Sequence, residues 1–430
     1  MQIMSINKIF LPGFQFETKS VEYAVQSLSS YWRLYLHETP SGEFGWYRRL
    51  DDLNRVGNVA TAQGLLSSQE LGIELQSIEQ IIATLTRRVH DDGGWSFISS
   101  LDFISVVDST SFVVRALFYY QNAPKFRSYN LSQIIERGLD WIENAVLPSG
   151  GWAITATGSQ RVVSTALALE TLVGCGRGSS PVFRRGVQSL INSSDQLTGA
   201  WHDASNRLSV PVTAKAISCL SLISATLPDF DISLSRPCNW IISLSLQTDL
   251  WCKGPECPTN EEVEIESARG IIRIDYGHST LPLVAYSLMR SNHKITPLVA
   301  SSLNRLICCV TKADWGMLSQ GRAHALTSWM LYDITKALKQ IQVMYPSDIE
   351  TIWYDKNKII LHPAGRPKLI RIIVQNRKIA ILIFIVISGM IVLRAMGFQI
   401  DFGGAMLTAI IGPILLNIVS SFMYDRFRRH

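Results

Sequence analysis

The chain has 430 residues, of which 47% are hydrophobic and 17% charged, with a net charge of +5. That is enough chain for one large continuous core, and the modest charge, with its basic residues concentrated near the C-terminus, argues against nucleic acid as a partner. Seven cysteines at irregular spacing, behind an N-terminus lacking a basic start and a long apolar run, read as reduced thiols in a chain without an export signal.

Residues 1–18 read as a lead-in, and Lys19 to Glu38 as the first helix. A turn follows at Phe44-Gly45-Trp46, and related turns recur at Gly93-Gly94-Trp95, Gly150-Gly151-Trp152, Gly199-Ala200-Trp201, Asp249-Leu250-Trp251 and Asp314-Trp315-Gly316. The tryptophans step by 49, 57, 49, 50 and 64 residues. A threonine follows each one: Thr61, Thr110, Thr165, Thr213, Thr280 and Thr327, at offsets of 15, 15, 13, 12, 29 and 12. The long offset marks an insertion at residues 252–274. Internal repetition at this period signals a repeat architecture.

Each unit reads helix, turn, helix. Before the third turn, Ile134, Ile135, Leu139, Ile142 and Val146 keep a helical period. After it, Val162, Val163, Ala166, Leu167, Leu169 and Leu172 are apolar nearly all round, which predicts a buried helix. Six such units predict an all-α, (α/α)6 toroid over residues 1–340, two concentric rings of six helices with the second helix of each unit inside. An open solenoid is the alternative.

Asp108-Ser109-Thr110 opens the second inner helix, where Asp108 or Ser109 suits an N-cap. The insertion carries Glu261, Glu262, Glu264 and Glu266 and reads as an acidic flap over one mouth of the ring. Asp275 and His278 are three apart and fit one helical face, while His324 opens the sixth inner helix. One carboxylate and two imidazoles from adjacent units suit a catalytic zinc with an open position. Arg115, Lys215 and Arg322 fall on or near inner helices. Beside inner-helix N-termini they would favour an anion such as a diphosphate. Pairing with carboxylates is the other reading.

After Leu338 the pattern changes. Thr351 to Tyr354 and Ile359 to Leu361 read as two short strands around a turn, within a linker over residues 341–370. Ile379 to Phe398 and Phe402 to Tyr424 are each apolar and long enough to span a ~30 Å bilayer core. Lys368, Arg371, Arg377 and Lys378 flank one end of the pair, and Arg426, Arg428 and Arg429 the other. The positive-inside rule predicts a transmembrane hairpin over residues 371–430, with the toroid and both termini cytoplasmic and the lipid bilayer as a partner.

The third repeat, Arg137-Gly138, Trp141-Ile142, Gly150, Trp152, and the start Ser164-Thr165-Ala166-Leu167-Ala168-Leu169 resemble the repeats of the prenyltransferase and squalene-cyclase family. The resemblance covers roughly residues 19–340 and implies the toroid. It also implies an isoprenoid or other apolar ligand, cyclised or prenyl-transferred. By the same resemblance Asp108 takes the place of the cyclases' proton-donating aspartate, with Val106 and Ser109 where partner aspartates would stand. Asp275 and His324 resemble the first and last zinc ligands of the protein prenyltransferases, with Gly277 in the cysteine's place and His278 able to complete the set. The alternative is a non-enzymatic binding or membrane-effector protein, for which a two-span hairpin would need homo-oligomers.

Overall fold

The structure is a computed structural model. It describes residues 14–48, 50, 56–97, 104–230, 232–245, 260–267, 270–291, 297–315, 326–344, 349–355 and 358–363. These belong to a compact unit spanning Met1–His362, apart from Pro363 at the start of a second unit, Pro363–His430. The expected transmembrane hairpin at 371–430 lies outside the described residues. Among the described residues, no helix is long and apolar enough to cross a membrane.

Among the described residues, twelve α-helices alternate between two rings. The outer ones are α1 (Thr18–Leu34), α3 (Ile78–Arg87), α5 (Leu131–Asn144), α7 (Pro181–Asn192), α9 (Ser235–Ser245) and α11 (Pro297–Lys312). The inner ones are α2 (Asn58–Leu71), α4 (Val107–Tyr120), α6 (Val162–Gly174), α8 (Val210–Thr226), α10 (Thr280–Arg290) and α12 (Ser328–Met344). Each inner helix packs on the next, and α12 packs on α2, so the ring closes. The (α/α)6 toroid, rather than an open solenoid, is therefore the fold. Sequence explains the sorting of the helices. In α6 every residue from Val163 to Val173 is buried, whereas α7 buries Phe183, Gly186, Val187 and Leu190 along one stripe.

The turns are built alike. The Trp46, Trp95, Trp152 and Trp201 indoles each donate from Nε1 to a late carbonyl of the preceding outer helix: Trp32, Leu85, Ile142 and Leu190. Helix C-termini leave such carbonyls without intrahelical partners. Burying each ring of ~200 Å² stabilises by roughly 5 kcal/mol at ~25 cal/mol/Å². Gly150 has φ +90°, in the left-handed region that glycine occupies without strain, and a Cβ there would lie 2.9 Å from the Arg185 carbonyl oxygen. Close approach of the next outer helix therefore fixes the glycine. Trp251 lies outside the described residues.

Among the described residues, three small sheets decorate the rings. β1 (Phe14–Glu17) pairs antiparallel with β6 (Ile349–Asp355), with Phe14 opposite Tyr354, and β7 (Lys358–Pro363) follows in the order β1-β6-β7. β2 (His37–Glu38) pairs with β3 (Phe44–Gly45). The insertion forms a hairpin of β4 (Asn260–Ser267) and β5 (Gly270–Gly277), with Asn260 opposite Gly277 and Ser267 opposite Gly270. Asp275 is thus a strand residue opposite Glu262, which corrects the expectation that it shares a helical face with His278.

Candidate functional site

The N-terminal ends of α4, α6, α10 and α12 meet at one mouth of the ring, and the β4–β5 hairpin reaches into it. Val263 of β4 packs with Val106 and Ile154, which anchors the hairpin beside the start of α4. Asp203 holds the adjoining stretch: its Oδ2 accepts the Glu262 amide at 3.4 Å, and Ala204 N–H donates to the Glu262 carbonyl at 3.2 Å. This places Glu261, 1% exposed, inside the mouth.

Arg161 precedes α6 in an extended conformation and is the hub. Its Nε and Nη2 donate to the two Glu261 carboxylate oxygens at 2.6 and 2.7 Å, a two-pronged fork. Its Nη1 donates to Asp108 Oδ2 at 2.6 Å and to Ser164 Oγ at 3.1 Å. Ser164 Oγ donates in turn to Asp108 Oδ1 at 2.7 Å. His278 Nε2 lies 2.9 Å from Glu261 Oε2. Burial works to raise the Glu261 carboxyl, but Arg161 and His278 outweigh it and pull it down to about 2. Burial likewise opposes the Arg161 charge, and Glu261 and Asp108 hold its guanidinium above the ordinary value.

Beside this network opens a cleft of ≈ 60 Å³, lined by Asp108, Arg161, His278, Ser279, Trp329 and Asp333 among others. Asp333 differs from the other two carboxylates. It is 5% exposed, and among the described residues it accepts no hydrogen bond. Burial raises its carboxyl above the usual aspartate value, against the opposing pull of Lys215, His278 and Lys336.

One turn deeper, Arg115 Nη1 donates to Glu170 Oε2 at 3.0 Å, and Lys336 Nζ lies 4.0 Å from the same oxygen. The Lys336 ammonium also sits 5.2 and 5.0 Å from the Tyr286 and Tyr332 ring centres. Burial works to raise Glu170, but Lys336, Lys215 and Arg115 pull it down to about 2. Lys215, 5% exposed, makes no hydrogen bond or ion pair among the described residues.

The residues expected from sequence thus separate. Asp108 lines the cleft, yet as an ion-pair partner of Arg161. The N-cap of α4 is Val106, which corrects the capping expectation for Asp108 and Ser109. His278 lines the cleft and is held by Glu261. Arg115 and Lys215 sit inside the ring, Arg115 paired with Glu170. His324, Arg322 and the side chain of Asp275 lie outside what the structure describes. Among the described residues, no group of three His, Cys, Asp or Glu side chains could hold a metal ion. Arg161, Asp333 and Glu170 escaped the sequence reading, and Glu261 entered it only as one of the glutamates of an acidic flap over the mouth. The signal for three of them was present: charged residues in otherwise apolar inner-helix stretches, or just before one.

No family model and no curated protein matches the chain. Solved structures do. A Rex8A from Paenibacillus barcinonensis complexed with xylose aligns at 8% identity and TM-score 0.52, over 76% of this chain and 93% of that one. An α-1,6-mannanase, GH76A of Salegentibacter sp. HEL1_6, in complex with α-1,6-mannotetrose aligns at 9% and 0.51, over 76% and 99%. A β-1,3-1,4-glucanase from Paenibacillus sp. X4 aligns at 11% and 0.50, over 78% and 94%. At such identities the likeness is one of fold.

These findings correct the resemblance to prenyltransferases and squalene cyclases, and with it the isoprenoid ligand. The tryptophan–glycine turn is a packing device open to any ring of this geometry, so it carries no ligand information. The ring interior also disfavours an apolar ligand. Asp108, Arg161, Glu261, Glu170, Lys215 and Lys336 would lose solvation against a hydrocarbon without gaining partners. The toroid is common to the chain and to these glycosidase structures.

Proposed function

We propose that the chain is a carbohydrate-processing enzyme that cleaves a glycosidic bond at the mouth of the ring. The observation that carries this is Asp333: a buried carboxyl, free of hydrogen bonds among the described residues, raised by burial and opening on the cleft. A carboxyl in that state keeps its proton nearer neutral pH and can donate it to a leaving oxygen. His278 is the base, its imidazole oriented by the Glu261 carboxylate at 2.9 Å, and it takes a proton from the attacking water. Arg161 and Asp108 hold that pair in place, and Arg48, also on the cleft, offers a donor for sugar hydroxyls. Trp329 supplies an apolar face of the kind a sugar ring lies against. The fold shared with the xylose-bound, mannotetrose-bound and glucanase structures supports a saccharide as substrate.

The His278–Glu261 dyad also favours a second reading, isomerisation of a free sugar by proton abstraction from carbon, because an oriented imidazole serves that step equally well. A panel of β- and α-linked oligosaccharides and free aldoses, assayed for reducing ends and for ketose formation, separates the two. Hydrolysis of any glycoside, lowered 10²- to 10⁴-fold in Asp333→Asn, is the expected result. Ketose formation alone favours the second reading. A folded wild type inert on the whole panel, or an Asp333→Asn variant as active as wild type, overturns the proposal.

A further inference from the structure

The inner ring is polar well below the cleft, and its side chains stack in layers. Gln63, Lys215 and Asp333 each lie five residues after the first residue of their helices, α2, α8 and α12. Arg115, Glu170 and Lys336 each lie eight residues after the first of α4, α6 and α12. At 1.5 Å per residue the second layer is ~4.5 Å deeper than the first. Around Glu170 and Arg115 the charges are Lys336, Lys215, Arg290, Glu70 and, through Lys215, Asp333. Four basic groups thus face three carboxylates, one of which, Asp333, is the carboxyl that burial pushes toward its neutral form.

Neutral donors are left over on the inner helices α2 and α4. The Gln63 amide is wholly buried, and neither its nitrogen nor its oxygen has a hydrogen-bond partner among the described residues. Ser67, one turn on from Gln63, and Ser111, one turn before Arg115, are buried with unpartnered hydroxyls in the same sense. Buried polar groups in native proteins are nearly always satisfied. By helix position Gln63 falls in the same layer as Lys215 and Asp333.

We propose that the axis of the inner ring, beneath the cleft, is a binding site for a small oxyanion, a phosphate or a carboxylate, gathered by Lys215 and Lys336 with the Gln63 amide as a neutral donor. An oxyanion offers several acceptor oxygens at once and balances the excess charge, which solvent or a neutral sugar does not. Its source is either free phosphate or the acidic group of a sugar, and the probes distinguish them.

The test titrates full-length protein with sodium phosphate, sodium glucuronate, glucose, and sodium chloride at matched ionic strength, followed by thermal unfolding and isothermal calorimetry. Phosphate or glucuronate should bind saturably and raise the melting temperature, while glucose and chloride should not. Lys215→Met and Lys336→Met should each weaken binding tenfold or more, and Gln63→Leu serves the same purpose where a lysine variant fails to fold. Saturable phosphate binding assigns the site to a free anion, and glucuronate binding without phosphate binding assigns it to an acidic sugar; either supports the proposal. No saturable binding to folded wild type overturns it. So does equal stabilisation of wild type and variants, since that is the general salting effect of phosphate. Asp333→Asn should bind phosphate at least as well as wild type while losing turnover, so this site and the cleft chemistry fail separately.

Discussion

The Trp152 amide donates to Thr165 Oγ1 at 2.9 Å, and Thr165 Oγ1 donates onward to the Arg161 carbonyl at 2.9 Å. The same bond joins Trp46 to Thr61 at 3.3 Å, Trp95 to Thr110 at 3.0 Å and Trp201 to Thr213 at 2.9 Å. Each turn is thereby stitched to the start of the inner helix that follows it. In Thr165→Val the shape is kept but the Trp152 N–H is left buried without an acceptor. We expect a loss of about 1–3 kcal/mol in urea unfolding. Thr165→Ser, which keeps the hydroxyl, should lose less.

Gly186 of α7 faces the same tryptophan. A Cβ there would lie 2.5 Å from the Trp152 ring and 3.0 Å from Leu169, and the ring cannot retreat because Nε1 is bonded to the Ile142 carbonyl at 2.7 Å. Gly186→Ala should therefore destabilise by about 1–3 kcal/mol despite the better helix propensity of alanine. Gly174, where nothing lies within 4 Å of the same added atom, is the control. Gly174→Ala should be neutral or stabilise by up to ~1 kcal/mol. Thermal melts of the two variants should move apart.

These bonds explain why the fold could be read from sequence. The Trp–Thr spacing is short-range and repeated, because one hydrogen bond imposes it in unit after unit. The ring followed from the count of units and the all-round burial of helices such as α6. The site was less legible, since its partners are far apart in the chain. Arg161 meets Glu261 at 100 residues' separation, in an insertion where the alternation Glu262-Val263-Glu264-Ile265-Glu266 has the period of a strand and was not read as one. Asp275 was misplaced for the same reason: an i, i+3 spacing suits a helix, yet the segment pairs as β5. Asp333 and Lys336 stand three apart in the largely apolar α12, which is a local sign of burial, but their partners on other helices are not readable from α12 alone.

Arg161 is the residue whose removal should harm the mouth most. Arg161→Gln leaves Asp108 and Glu261 buried without a cation, and truncating one member of such a network costs about 3–5 kcal/mol. The pH dependence follows from Glu261 and Glu170, both held near 2 from an ordinary value of 4.5. A depressed carboxyl contributes stability that is present above its unfolded-state value and lost as pH falls through the folded-state value. Wild-type stability should therefore fall between pH ~4.5 and 2, with each group adding a slope of up to ~1.4 kcal/mol per pH unit. Chemical denaturation across that window should show the slope reduced in Glu261→Gln, and an unchanged slope would mean that Glu261 is not ion-paired in the folded protein.

Asp333 has the opposite sign. Its folded-state carboxyl is raised above the ordinary 3.8, so its contribution is fully present below that value and is lost as pH rises through the folded-state value. Above that folded-state value the ionised side chain is a burden on the fold. Asp333→Asn, which keeps the shape without the charge, should be as stable as wild type at pH 4 and more stable at pH 7 or above. The same proton governs the proposed reaction. Wild-type kcat/KM should decline on the alkaline side as Asp333 ionises, and the limb should vanish from the residual rate of Asp333→Asn. A variant gaining stability at pH 7 while losing that limb ties the buried carboxyl to both properties. A variant destabilised at every pH would instead make Asp333 a structural member of the charge cluster with Lys215 and Lys336.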